Sequence, residues 1–405
     1  MRVKMSTPVT VKFLLFAITC ASVTYLSVGD RTGAAGLATV SSNSVALMLY
    51  KVFTTHDNIF FSPFSITTVI AMTFLGTQND TAAQIRNLLN LEASGLRDKD
   101  FHESFHYLIT SFLKYSQQFE LKTTNAFVIQ KGIDIDANYK SDLDRFYNAS
   151  IQEVDFQEDP DTTVQWLNSW IKRKTENKIQ RMFMGILNPL TRLLILSIMS
   201  FKGSWLKEFD ESATRLESFY NFGTNETQVL MMHKKHKFPY GFDPELDAFI
   251  LAVPYSGTRF HMIFFLPREK QGLKKLEAVL DLEKFEEVIS KLHETEVEIS
   301  IPKFKLDKEY DLEDSLRKLG LTNVFSPGLA DFSKFTTTKA LHLSSIKHRA
   351  LLEVDEYGSK VIVSTASMVE TLSLKPTFTI NHPFIFFIRE NQNGIILFIG
   401  RINQL

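Results

Sequence analysis

The stretch LLEVDEYGSKVIVSTASMVETLSLKPTFTINHPF, residues 351–384, decides the reading of this chain. It joins two strand-like runs, yet its middle has no helical period and no apolar anchor. A connection that long in a compact domain is usually functional rather than filler. Its first half alternates. Ser359, Val361, Val363, Thr365 and Ser367 share one face, while Lys360, Ile362, Ser364 and Ala366 share the other. β-Branched residues favour paired strands, and no proline interrupts the segment before Pro376. The sequence describes a loop composed as a strand.

The rest of the chain sets the context. It has 405 residues, 44% apolar and 22% charged, as an ordinary globular protein does. With 17 Gly and 12 Pro, no Ser/Gly/Pro-rich linker divides it, which predicts one large domain. A net charge of −1 gives no reason to expect nucleic acid as a partner. At the N-terminus Arg2, Lys4 and Lys12 precede the apolar run Phe13–Val23, which is too short to span a membrane. Residues 1–23 are read as a secretory signal whose end extends to as far as about residue 30. Cys20, the one cysteine, falls inside it, so the mature chain carries no thiol and stands on its core without disulfides. Sequons at Asn79, Asn148 and Asn225 agree with export.

Along the chain, NSVALMLYKVF reads as an amphipathic helix and NIFFSPFSI as a short buried strand entering a helix capped near Ser62. Helical spacing continues from Asp80 to Glu120. Strand-like runs follow in TNAFVIQ, TRLLILSIMSF, AFILAVPY and RFHMIFFLP, and helical ones in VQWLNSWIKRK, LEKFEEVISKL and LEDSLRKLG. Two apolar strands, FIFFIRE and GIILFIGRI, close the chain around the turn NQNG. Segregated helices and antiparallel strands predict an α+β fold.

HESFH, residues 102–106, fits the H-E-x-x-H pattern of a zinc peptidase, with Glu103 as the water-activating base. However, Phe101, Phe105, Leu108, Ile109, Phe112 and Leu113 form one apolar helical stripe that accounts for the same letters. No third ligand recommends itself beyond the distant Glu120. No metal, no cofactor and no catalytic residue is therefore expected, since G-x-S-x-G, P-loop and G-x-G-x-x-G patterns are also missing. The basic run HKKHK, residues 233–237, reads as a solvated strand or turn. Weak glycosaminoglycan binding is its alternative.

From about residue 40 onward the chain closely resembles the serpins. The matching pieces are NIFFSPFSI, FKGSW with Trp205, IPKFKLDKEYDLEDSLRKLGL, ADFSKF, IKHRALLEVDEYGS and HPFIFFIRENQNGIILFIGRI, in family order and at family spacing. The resemblance implies a serpin fold of three β-sheets, about eight or nine helices and an exposed reactive-centre loop. It also implies a monomeric, single-use inhibitor rather than an enzyme. A serine protease attacks the loop, forms an acyl-enzyme, and is trapped covalently when the cut loop inserts into the large sheet.

Residue by residue, the resemblance places the hinge at Glu356, Gly358 and Ser359, with Val361 and Val363 on its inserting face. Loop length counted from Gly358 sets the scissile bond between Leu372 and Ser373. Lys303 aligns with the lysine that pairs the hinge glutamate. Trp205 belongs to the same region at the top of the sheet, and Ser62, Ser65 and His348 match polar residues beneath its centre. Three departures stand out. Lys360, Val361, Ile362 and Val363 replace the usual alanine-rich hinge, Ser197 replaces an asparagine and is expected to weaken the polar cluster, and Asn177 replaces a glycine. The function expected is secreted inhibition of an extracellular chymotrypsin- or elastase-like protease through Leu372. The alternative is a non-inhibitory serpin carrying an extracellular ligand.

Overall fold

The computed structural model describes residues 35–53, 56–91, 97–113, 119–339, 341–358 and 375–405. The signal segment 1–23 and the loop residues Ser359, Val361, Val363, Leu372 and Ser373 lie outside them.

The chain opens with helix α1 (Gly36–Val52), strand β1 (Ile59–Phe61) and helices α2 (Pro63–Gly76), α3 (Asn79–Leu88) and α4 (Asp98–Leu113). Strand β2 (Phe119–Gln130), helix α5 (Ala137–Tyr147), strand β3 (Ser150–Val154), helix α6 (Pro160–Lys174) and strand β4 (Leu193–Gly203) follow. A β-rich stretch runs through β5 (Arg215–Asn221), β6 (Asn225–Asp243), β7 (Ala248–Pro254) and β8 (Phe260–Pro267). After α7 (Leu273–Val279) and α8 (Leu282–Ser290) come β9 (His293–Pro302), β10 (Phe304–Asp311), α9 (Glu313–Lys318) and β11 (Ser345–Val354). Strands β12 (Thr377–Thr379), β13 (Phe384–Glu390) and β14 (Ile396–Ile402) complete the chain.

Local chemistry explains the boundaries that matter most. Ser62 caps α2: its Oγ accepts from Ser65 N at 3.1 Å, and Pro63 supplies a preset first helical residue. The β13–β14 hairpin turns where Gly394 takes φ +74°, a conformation that costs glycine little.

The nine α-helices and antiparallel strands seen among the described residues realise the α+β class. Five strands form one sheet in the order β10-β11-β4-β2-β3. The other sheet runs β1-β14-β13-β8-β7-β6-β9-β12, with β5 on the side of β6. Three sheets were expected; among the described residues they join into two hydrogen-bonded sheets, because the long strand β6 serves two neighbourhoods. Its first part pairs β5 and β9, and its end at Tyr240–Asp243 pairs β7.

The five-stranded sheet is covered on both faces. Phe127, Ile195, Met199 and Phe201 point into the main core, whereas Ala126, Val128, Leu194, Leu196 and Ile198 meet Leu167, Trp170 and Ile171 of α6. Double coverage is why β4 reads as an almost unbroken apolar run rather than an alternating one. Helix α2, buried nearly all round, lies between β4 and β14 and carries Ser62 and Ser65 to the underside of the sheet.

Candidate functional site

At the centre of the five-stranded sheet, β11 and β4 run parallel, in register from Ser345↔Leu194 to Leu352↔Phe201. Both flanking pairs, β10 with β11 and β4 with β2, are antiparallel. A strand entering between β11 and β4 antiparallel to both would exchange one parallel ladder for two antiparallel ones, the slightly stronger pairing per residue. The segment that follows β11 in sequence starts at the end of this seam.

Residues 355–358 fix how the chain leaves β11. Asp355 Oδ1 accepts from Tyr357 N at 3.1 Å and Gly358 N at 2.9 Å, an Asx-type turn. Gly358 takes φ +63°, and a Cβ there would stand 2.5 Å from Gly203 O and 2.6 Å from Trp205 N. Only glycine fits both the dihedral and the space. Trp205 clamps the turn twice, through Nε1 to Asp355 O at 2.8 Å and through its amide to Tyr357 O at 3.1 Å. Its ring stacks on Tyr255 at 4.5 Å with planes 10° apart.

Glu356 is buried beside this clamp. Lys303 Nζ donates to its Oε2 at 2.6 Å, Thr214 Oγ1 donates to its Oε1 at 2.7 Å, and its carbonyl accepts from Phe209 N at 2.8 Å. Burial alone would raise the carboxyl. The hydrogen bonds from Lys303 and Thr214 outweigh it and hold the group below its ordinary value.

Beneath the seam lies a second polar group. Ser62 N donates to His348 Nε2 at 3.0 Å, so the proton of this neutral imidazole sits on Nδ1. Nδ1 then donates to Ser197 Oγ at 3.0 Å, and Ser197 and Ser65 hydroxyls meet at 2.9 Å. Ser65 Oγ passes the chain on to Asn125 Oδ1 at 3.2 Å. Burial pushes the pKa of His348 down to about 3, keeping it neutral. Ser197, expected to weaken this cluster, instead stands in its middle with both neighbours bonded. The Asn125 amide supplies the terminal acceptor at the far end of the chain.

The other predicted residues are spread over the molecule. Asn79, Asn148 and Asn225 are all exposed, at the start of α3, the end of α5 and the start of β6. Asn177 takes φ +63°, a left-handed conformation that asparagine accepts in place of glycine. His102 is buried with Nδ1 against the Tyr147 hydroxyl, Glu103 pairs with Arg145, and Glu120 pairs with Lys178 and Lys122. Among the described residues no three His, Cys, Asp or Glu side chains are grouped to hold a metal, and no helix is long and apolar enough to cross a membrane. The run HKKHK lies inside β6, where Lys235 and Lys237 face Glu298 and Glu296 of β9 across the ladder.

Sequence reasoning did not find Asn125, Thr214, Tyr255 or Asp355. Asp355-x-x-Gly358 carried a turn signal, but Thr214 and Tyr255 meet partners far off in sequence, Glu356 and Trp205, with no local pattern to announce them.

Known proteins match this arrangement along nearly the whole chain. The family model described as Serpin (serine protease inhibitor) matches residues 40–405. Intracellular coagulation inhibitor 1 of Tachypleus tridentatus is 36% identical over 371 residues, covering 91% of this chain and 89% of its own. Leukocyte elastase inhibitor of Equus caballus is 34% identical, over 89% of this chain and 97% of its own. The solved structure of human thyroxine-binding globulin superposes with a TM-score of 0.83 at 28% identity, covering 92% of this chain and 99% of that one. With its parallel seam, the clamped turn at residues 355–358 and these matches, the chain belongs to the serpin family.

Proposed function

We propose that this serpin is a secreted, non-catalytic, monomeric inhibitor that traps an extracellular chymotrypsin- or elastase-like serine protease. The observation that supports this reading is the parallel seam between β11 and β4, with the hinge turn at Asp355–Gly358 held at its end. A protease serine Oγ would attack the Leu372 carbonyl, the Ser373 amine would leave with a proton, and the ester would join the two proteins. Loop residues from Ser359 onward would then enter the seam as a new strand, separating the ester from the leaving amine before water hydrolyses it. Leu372 suits a deep apolar specificity pocket and offers no charge to an acidic one.

Export is proposed from the N-terminal signal segment and from three exposed sequons, Asn79, Asn148 and Asn225. For HKKHK only weak glycosaminoglycan binding is proposed, because Glu298 of β9 stands opposite Lys235 in the ladder. The Val-rich hinge favours one second reading, a non-inhibitory serpin that carries an extracellular ligand. Incubating the protein with a panel of chymotrypsin-like and elastase-like proteases separates the two. The inhibitory reading expects a complex that survives a denaturing gel; cleaved chain alone with every protease would overturn it.

A further inference from the structure

A cleft of about 460 Å³ opens beside the Trp205–Phe209 segment that holds the hinge. That volume suits one small organic molecule. Phe238 and Val253 contribute apolar surface to it, and Leu206 lines it with a side chain left 42% exposed. Lys207, His236, Lys237 and His261 add polar groups, and Glu294 is the one carboxylate among the lining residues.

Among the described residues, neither Lys207 nor Lys237 has an ion-pair partner. Glu296, the register neighbour of Lys237, is taken by Lys375 at 2.6 Å. Positive charge also converges on His236: burial first, then Lys234 and Lys207, hold its pKa below the ordinary value. Burial lowers His261 as well, so both imidazoles stay neutral at physiological pH. An uncharged apolar ligand would leave the two lysines unused, and an inorganic anion would leave the apolar surface wet.

The cleft shares its wall with the hinge clamp. Leu206 N donates to Pro254 O at 2.9 Å, and Pro254 lines the cleft. On either side of Leu206, Trp205 N and Phe209 N bond the carbonyls of Tyr357 and Glu356. We propose that the cleft binds a small amphipathic carboxylate, its apolar body against Leu206, Phe238 and Val253 and its head between Lys207 and Lys237, and that occupancy stiffens residues 204–209 and with them the hinge.

The test is calorimetric titration of the full chain with 2-naphthylacetate and with its uncharged amide. The acid is expected to bind about tenfold more tightly than the amide, and Lys207→Gln with Lys237→Gln to weaken the acid by about tenfold while leaving the amide unchanged. Both lysines are exposed, so the melting temperature of the double variant should match the parent. Hydrogen exchange at residues 204–209 is expected to slow when the acid is bound. No saturable binding of the acid, equal affinities for acid and amide, an unaffected double variant, or bound acid with unchanged exchange would each overturn the proposal. These readouts need no protease, so they fail or succeed separately from the inhibitory reading.

Discussion

His348 Nδ1 donates to Ser197 Oγ across 3.0 Å, and the two residues are register partners on β11 and β4. The hydrogen bond therefore spans the seam that a strand would have to open under the inhibitory reading proposed above. It continues on both sides, to Ser62 N and to Ser65, so parting the strands breaks a chain of buried hydrogen bonds rather than apolar contact alone. Closure of the native sheet is held by directional bonds, which are lost in one step once the strands separate.

Ser197→Ala should weaken that closure. It leaves the His348 Nδ1–H buried without an acceptor and strips Ser65 of a partner, a cost of about 1–3 kcal/mol. The urea midpoint of the uncleaved protein is expected to fall accordingly. An unchanged midpoint would mean that the bond contributes nothing to the native state.

Acid should destabilise the protein well before its carboxylates titrate. Burial pushes His348 and His102 down to about 3, whereas an unfolded histidine titrates near 6.5. The folded pKa values are depressed, so the unfolded chain binds more protons below about 6.5 and stability falls with pH from there down to about 3. Between pH 7.5 and 5.5 each histidine removes about 1.4 kcal/mol. His236, His261 and His382, also lowered first by burial, act in the same direction. Urea unfolding at the two pH values should show the drop, and His102→Gln should make it smaller. A pH-independent midpoint across this range would contradict neutral burial.

Removing the cation beside the hinge glutamate should loosen the hinge. Lys303→Met leaves Glu356 buried with Thr214 as its remaining side-chain donor, at a cost of about 1–3 kcal/mol. Because the folded carboxyl sits below its ordinary value, this contribution is complete above the usual glutamate range and fades as the pH falls through it. The difference in melting temperature between parent and variant should therefore shrink in acid. A constant difference would place the effect in packing of the lysine stem instead.

Gly358→Ala should disturb the clamp directly. The new Cβ meets backbone atoms of Gly203 and Trp205, which cannot rotate away as a side chain can, and φ +63° adds strain of about 1 kcal/mol or more. Trp205 should lose its bonds to Asp355 and Tyr357, and its fluorescence should shift toward that of a solvated indole. A parental spectrum and melting temperature would show that the turn accommodates a methyl group.

Much of the frame was legible where the signal was local. NIFFSPFSI gave β1, the Ser62 cap and α2, and NQNG gave the last hairpin, because cap and turn chemistry act within a few residues. β6 was harder. Pro239 and Gly241 interrupt its alternation and HKKHK masks its strand character, yet pairing with β5, then β9, then β7 carries it through all nineteen residues from Asn225 to Asp243. The polar chain through His348 was half visible: the resemblance pointed to Ser62, Ser65 and His348, but treated Ser197 as a loss. Distance decides the matter, since whether a serine reaches what an asparagine reached depends on strand register, which no local pattern records.

Under the proposed inhibitory reading, the segment from Ser359 onward inserts. Capture and waste are two fates of one acyl-enzyme, so the outcome is the ratio of insertion to hydrolysis. Valine favours a strand once paired. Before that, Val361 and Val363 must enter a sheet packed on one face by the main core, with Met199 and Phe201, and on the other by Leu167 and Ile171 of α6. Added methylenes in such a setting cost about 1–3 kcal/mol, and a barrier raised by about 1.4 kcal/mol slows a step tenfold. The parent should therefore yield cleaved chain alongside covalent complex, and Val361→Ala with Val363→Ala should shift the ratio toward complex. The measurement is that ratio on a denaturing gel, with a protease that cuts after Leu372. Equal ratios would show that the valines do not limit insertion, and cleaved chain alone from both proteins would favour the carrier reading.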